Sequence, residues 1–191
     1  MATNNQVNVG LSGASGTGSF AGTTSPTFVT PVLGAGSATS LSFSSTSGII
    51  GTTTNNDAAA GSVGEFVSSV IAAASAVSVT STTIKDITSI SLTAGDWNVW
   101  GNVVFLFATA TNYTALISWV SSTSVTQPDA SLIPDFSNSG NAPGNGSAIS
   151  CNTLMRRFSL SGTTTIYVSS QQVFTGGTMT ACGGIYARRI R

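Results

Sequence analysis

The sequence predicts an all-β protein: a jelly-roll-like β-sandwich preceded by an extended, uncharged N-terminal segment. Three observations predict it. Apolar residues recur with period two in several short runs, the spacing of half-buried strands. No run carries the 3.6-residue spacing of a long amphipathic helix. Every charged residue lies beyond position 56, so the chain divides by composition into 1–56 and 57–191.

Residues 1–56 contain no Lys, Arg, Asp or Glu, and the first charge is Asp57. Pro26 and Pro31 remove backbone donors and fix φ, which favours extended chain over helix. Residues 40–44 alternate Ser, Leu, Ser, Phe, Ser. Phe20, Phe28, Val29, Val32, Leu33, Leu41 and Phe43 are too few for a core and too apolar for a linker free in water. The segment is expected to lie on a partner surface or to pair with copies of itself, as an anchor or stalk. Residues 66–72 and 76–80 then read as two strands, the first also open to a short-helix reading. Residues 87–92 form a strand with Ile90 and Leu92 on one face, and Ala94-Gly95-Asp96 is a turn signal.

Residues 97–107 follow, apolar on both faces toward their end, as in a central strand covered on both sides. Trp100-Gly101 interrupts the alternation and reads as a bulge. Residues 113–119 alternate again. Residues 122–150 hold three of the five prolines and a run of Asn and Gly, the mark of a long loop with room for a brief paired stretch. Residues 154–160, 164–174 and 178–190 complete the strands, with Gly176-Gly177 expected as a hairpin turn between the last two. Seven or eight short strands without a long helix indicate a sandwich, with jelly roll the preferred topology.

Composition narrows the function. Charged residues make up 6% of the chain, against about 25% in ordinary globular proteins. Six basic and six acidic residues cancel, and there is no histidine. A chain without a basic field is poorly suited to nucleic acid, and one without histidine lacks the commonest general base and the His-based metal sites. A hydrophobic content of 41% with a mean hydropathy of +0.31 excludes simple disorder. Near-zero net charge promotes association, so an obligate oligomer is expected. The N-terminus has neither the basic nor the apolar region of a secretory signal, and 66–80 is too short and serine-broken to span a bilayer.

The chemistry-bearing residues are sparse. Asp129 and Asp135 share a loop and are the acids whose separation suits glycoside hydrolysis, but isolated loop aspartates usually serve turns and caps. No calcium loop, phosphate loop or dinucleotide fingerprint is present, and no metal or cofactor is expected. Cys151 and Cys182 read as reduced, space-filling thiols. The five arginines, Arg156, Arg157, Arg188, Arg189 and Arg191, occupy the last 36 residues. Neighbours in a strand face opposite sides, so they form no one-sided patch; pairing with Asp57, Glu65 or Asp86 at an edge or subunit contact is expected, with Arg156, Arg188, Arg189 and Arg191 as contact candidates. Trp97, Trp100 and Trp119 read as core and interface residues rather than as a sugar platform.

Four strings, at 18–34, 60–67, 90–99 and 185–191, resemble segments of tail-fibre and appendage proteins of tailed bacteriophages. The resemblance covers nearly the whole chain and implies a homotrimer. Residues 1–56, through Phe20, Pro26, Phe28, Pro31 and Leu33, would attach to other virion proteins, and the C-terminal β-domain would face host surface glycan or protein. The chain lacks a long shaft repeat, which favours a compact appendage, a fibre tip or a head-attached fibre. Loop residues Asp129, Asp135, Phe136, Asn138, Asn141 and Asn145 are the receptor-contact candidates. A non-enzymatic receptor-binding virion protein is expected first, a capsid or tail decoration protein second and a depolymerase third, with no membrane insertion and assembly in the host cytoplasm.

Overall fold

The structure is a computed structural model that describes residues 53–108, 110–134, 140–142 and 146–191. The chain divides into units at Thr52 and Thr53, and the described residues belong to the second unit. The proposed anchor residues Phe20, Pro26, Phe28, Pro31 and Leu33 therefore lie outside the described residues, as do Asp135, Phe136, Asn138 and Asn145.

Ten strands are described: β1 (Phe66–Ile71), β2 (Val77–Val79), β3 (Ile84–Leu92), β4 (Gly95–Phe107), β5 (Thr111–Ser121), β6 (Gly140–Ala142), β7 (Ser147–Asn152), β8 (Arg156–Leu160), β9 (Thr164–Thr175) and β10 (Met179–Arg189). One sheet runs β1-β10-β4-β7, with β2 continuing the β1 row along β10 and β8 continuing the β7 row along β4. The other runs β3-β9-β5-β6. Every strand pair is antiparallel. Counting β1/β2 and β7/β8 as single rows, the sheets hold rows 1-8-3-6 and 2-7-4-5, the order of a jelly roll.

The alternation of β4 is clean. Trp97, Val99, Val103, Phe105 and Phe107 are buried against the opposite sheet, while Asn98, Trp100, Asn102, Val104 and Leu106 face outward and are half-buried. From the facing strands Ile90, Leu92, Leu116, Val120, Ile166 and Val168 complete one hydrophobic core with Ile185 and Ala187 of β10.

Four expectations need correction. Gly176 and Gly177 do adopt the left-handed turn conformation, at φ of 71° and 69°, but they make no hairpin. β9 and β10 belong to different sheets, and the turn carries the chain from one to the other. β4 has no bulge at Trp100-Gly101, since its register with β10 runs unbroken from Trp97 to Phe107. The irregularity sits on the neighbouring row. Between Asn152↔Asn102 and Arg156↔Val99 the outer row has one residue more than β4, and Thr153 pins the excursion by donating its backbone N–H to the Gly101 carbonyl at 2.9 Å. Finally, the long loop holds two strands, β6 and β7, where one brief paired stretch was expected, and Ala94-Gly95-Asp96 is largely strand, with Gly95 opening β4 at φ 138°.

Candidate functional site

Three places gather the polar and aromatic side chains. The first is a clamp on the C-terminus. Arg189, 5% exposed, donates to the Glu65 carboxylate at 2.8 Å, the Ala94 carbonyl at 2.7 Å and the Thr93 hydroxyl at 2.5 Å, with its guanidinium 4.3 Å from the centre of the Trp97 ring. Gly95 makes room, because a Cβ there would collide with the Arg189 guanidinium. Next to it, Asp96 accepts from Arg157 at 2.8 and 2.5 Å and pairs with Arg191 at 2.9 Å. Hydrogen bonds from Arg157, with the added charge of Arg191, hold the Asp96 carboxyl below the usual carboxylate range. The hydrogen bond from Arg189, with one from the Gly61 backbone, does the same for Glu65.

The arginines meet the expected pairings in part. Arg189 is spent inside the protomer. Arg156 crosses between the sheets, donating to the Val120 carbonyl at 2.6 Å with its guanidinium 5.0 Å from the centre of the Phe158 ring. Arg191 is exposed but held by Asp96, and Arg188 is exposed on the outer face beside Phe66 and Asn98. Glu65 does find an arginine, whereas Asp86 does not. Asp96, read in a turn, takes two.

The second place is the outer face of the β3-β9-β5-β6 sheet. A bulge between Asp86 and Thr88 turns Ile87 into the core and leaves the Asp86 carboxylate facing outward. It accepts from the Ser124 hydroxyl at 2.6 Å, the Ser169 hydroxyl at 2.6 Å and the Val125 backbone N–H at 3.0 Å. Val125 sits at φ 51°, rare for a β-branched residue. Trp119 is fully buried under this loop, and its indole donates to the Thr126 carbonyl at 3.0 Å. The first half of the long loop is therefore stapled to the sheet. Asp129 caps the short 3-10 turn Ala130–Leu132 by accepting from the Ser131 backbone N–H at 2.9 Å; hydrogen bonds from Ser131 keep its carboxyl below the usual range. Ile117, Gln127, Ala130 and Ile133 border a shallow cavity of about 300 Å³. Asn141 lies in β6, in register with Asn112.

The third place is the outer face of the other sheet. Phe66 of β1, Tyr186 of β10 and Trp100 of β4 stand side by side, with ring centres 6.3, 6.1 and 6.3 Å apart around the triangle. Gly184 lies beneath the Tyr186 ring, where a Cβ would strike the phenol. Around the rings lie Ser68, Val70, Asn98, Asn102, Val104 and Leu106. This three-ring shelf was not read from the sequence. Trp100 was read at a bulge and as a core or interface residue, and only the row order brings Phe66 and Tyr186 beside it.

Cys151 and Cys182 occupy opposite faces of this sheet, since their partners Val103 and Val104 are consecutive on β4. They cannot bridge, and both are free and buried. Burial pushes the Cys151 thiol up to about 11. Among the described residues no cluster of His, Cys, Asp or Glu forms a metal site, and no helix is long and apolar enough to cross a membrane.

No protein-family model matches the chain, and no curated protein matches it. Among solved structures it is similar to the infectious bursal disease virus Gx strain structure (14% identity, TM-score 0.42), covering 74% of this chain and 36% of that one. It is also similar to the VP2 subviral particle of infectious bursal disease virus (13% identity, TM-score 0.34), covering 66% and 30%. The Gt strain structure of that virus gives 12% identity and a TM-score of 0.33, covering 67% and 31%. The aligned region spans about a third of each of those chains.

Proposed function

We propose that this chain is a structural protein of a bacteriophage virion: a homotrimeric tail fibre or appendage that contacts the host surface and carries out no catalysis. Residues 1–56 attach it to other virion proteins, and the jelly roll is the outward module. The observation that carries this reading is a jelly roll whose outer sheet face is apolar and aromatic, its acid Asp96 at one end tied up by Arg157 and Arg191, in a chain of net charge zero. Such a protomer is built for company rather than for dilution in water. The jelly roll recurs in viral capsid and lectin domains. The resemblance of 60–67, 90–99 and 185–191 to phage appendage proteins points the same way, and those three strings meet in the clamp around Arg189 and Asp96.

The non-enzymatic reading is supported by how the acids are used. Glu65, Asp86, Asp96 and Asp129 each hold a loop, a terminus or a cap. A decoration protein without receptor role is the second reading, favoured by the stapling of 122–126 through Asp86, which commits the start of the long loop to the fold. The test is location and binding. Immunogold labelling of particles made by cells carrying this gene is expected to mark a tail or head appendage, and labelled full-length protein is expected to bind host cells. Label at the head with no cell binding would select decoration, and absence from particles would remove the virion assignment.

A further inference from the structure

We infer that copies of this chain meet through the outer face of the β1-β10-β4-β7 sheet, the Leu154–Met155 excursion of one copy seating on the Phe66–Trp100–Tyr186 shelf of the next. The inference rests on the trimer reading above and names its contact surface.

The two sheets differ in what covers them. The β3-β9-β5-β6 sheet carries its own lid, because 122–134 folds over Trp119 and is tied down by Asp86. The other sheet has no such cover among the described residues, although three aromatic rings and Val70, Val104 and Leu106 face outward from it, with Val70 58% exposed.

The size suits a protein partner. Four rows about 4.8 Å apart and an eleven-residue β10 rising about 3.4 Å per residue give a footprint of roughly 700 Å². A stable interface needs about 800 Å² per partner.

Its charge suits a second copy. The shelf and its surrounding Ser68, Asn98 and Asn102 are neutral, and the cations Arg157 and Arg188 stand at one end. The uncharged Leu154–Met155 pair of a second copy can seat there without like charges meeting at the centre.

A second apolar feature supplies the other half. At the edge of the same sheet the Leu154–Met155 excursion, pinned by Thr153, leaves Leu154 43% and Met155 65% exposed. Neither side chain offers anything to a sugar. Because knob and shelf are different patches, their contact is heterologous, and a heterologous contact gives a ring where its rotation closes, here at three copies, rather than a paired dimer.

Paired cysteines in the full chain test the contact directly. Ser68→Cys lies on the shelf and Met155→Cys on the excursion, while the native cysteines are buried. Under mild oxidation the double variant is expected to form covalent dimers and trimers on a non-reducing gel, and each single variant to remain uncrosslinked. No crosslinking in the double variant, or crosslinking of Ser68→Cys alone, overturns the knob-and-shelf contact. In sedimentation, Trp100→Glu and Met155→Glu are each expected to reduce the mass threefold with unchanged circular dichroism, while Thr114→Glu on the covered sheet leaves it unchanged. A Trp100→Glu protein that stays trimeric overturns this surface but leaves the trimer standing, and loss of host-glycan binding in that trimer would reassign the shelf to a sugar. A wild-type chain with the mass of one copy overturns both, and Trp100 shielded from acrylamide in that single copy would make the chain's own first 52 residues the occupant.

Discussion

Arg189 shows how one residue organises its surroundings. Its guanidinium needs Glu65 for charge, the Ala94 carbonyl and Thr93 hydroxyl for its donors, Trp97 for its flat face and a glycine at 95 for space. The sequence shows the glycine, the tryptophan and the arginine, but nothing in it says they converge; 95 positions separate Ala94 from Arg189. The clamp makes stability depend on acid. Glu65 and Asp96 both titrate below their ordinary values of 4.5 and 3.8, so their contribution is complete above the unfolded carboxylate range and is lost as pH falls through the folded values. With no histidine to titrate, the melting temperature is expected to be flat from about pH 8 to about pH 5 and to fall steeply below about pH 4. Glu65→Gln is expected to flatten part of that fall, and an identical acid profile in Glu65→Gln would remove the clamp from the account. Gln172 makes a second residue-scale case. Fully buried, it donates to the Thr80 and Thr83 carbonyls at 2.5 and 3.0 Å and so holds the corner between β2 and β3. Gln172→Ala leaves a void and two carbonyls without that donor, and urea titration is expected to show a loss of about 2–4 kcal/mol.

Among the elements, period two was readable wherever one face meets the core and the other meets water. That describes β3 and β4, whose inward residues the alternation already groups. It fails where geometry shifts the count. In β5 a bulge between Tyr113 and Ala115 puts Tyr113, Leu116 and Val120 inward and Ile117 and Trp119 outward, so strict alternation from Tyr113 groups the wrong residues. β7 was read only as a brief paired stretch within the loop, because Ser147–Asn152 is six mostly small and polar residues whose inward face is Ser147, Ile149 and Cys151. Gly176-Gly177 carries the signature of a tight turn, but a turn signature cannot say whether its flanking strands pair or part between sheets. The Asp86 staple belongs to this scale too. Asp86→Ala is expected to free 122–134, cost about 1–2 kcal/mol, and shift tryptophan fluorescence to the red as Trp119 meets water. An unchanged spectrum would show that the loop stays closed without its carboxylate.

For the whole molecule, composition carried more than any motif. A charge content of 6%, with the arginines gathered in the last third, left the protein few ways to stay soluble alone. The fold then spends Arg156, Arg157, Arg189 and Arg191 on itself, in the clamp and across the sheets, and keeps one broad face largely apolar with Arg188 exposed at one end. That face was invisible in the sequence because its residues come from three strands far apart in the chain, Phe66, Trp100 and Tyr186. The strings 60–67, 90–99 and 185–191 each contribute residues to the clamp, while 18–34 lies outside the described residues. The most direct measurement is sedimentation equilibrium of the full-length protein at micromolar concentration. The account predicts a single species of three times 19.2 kDa; a folded species of 19.2 kDa, unchanged on concentration, would contradict it.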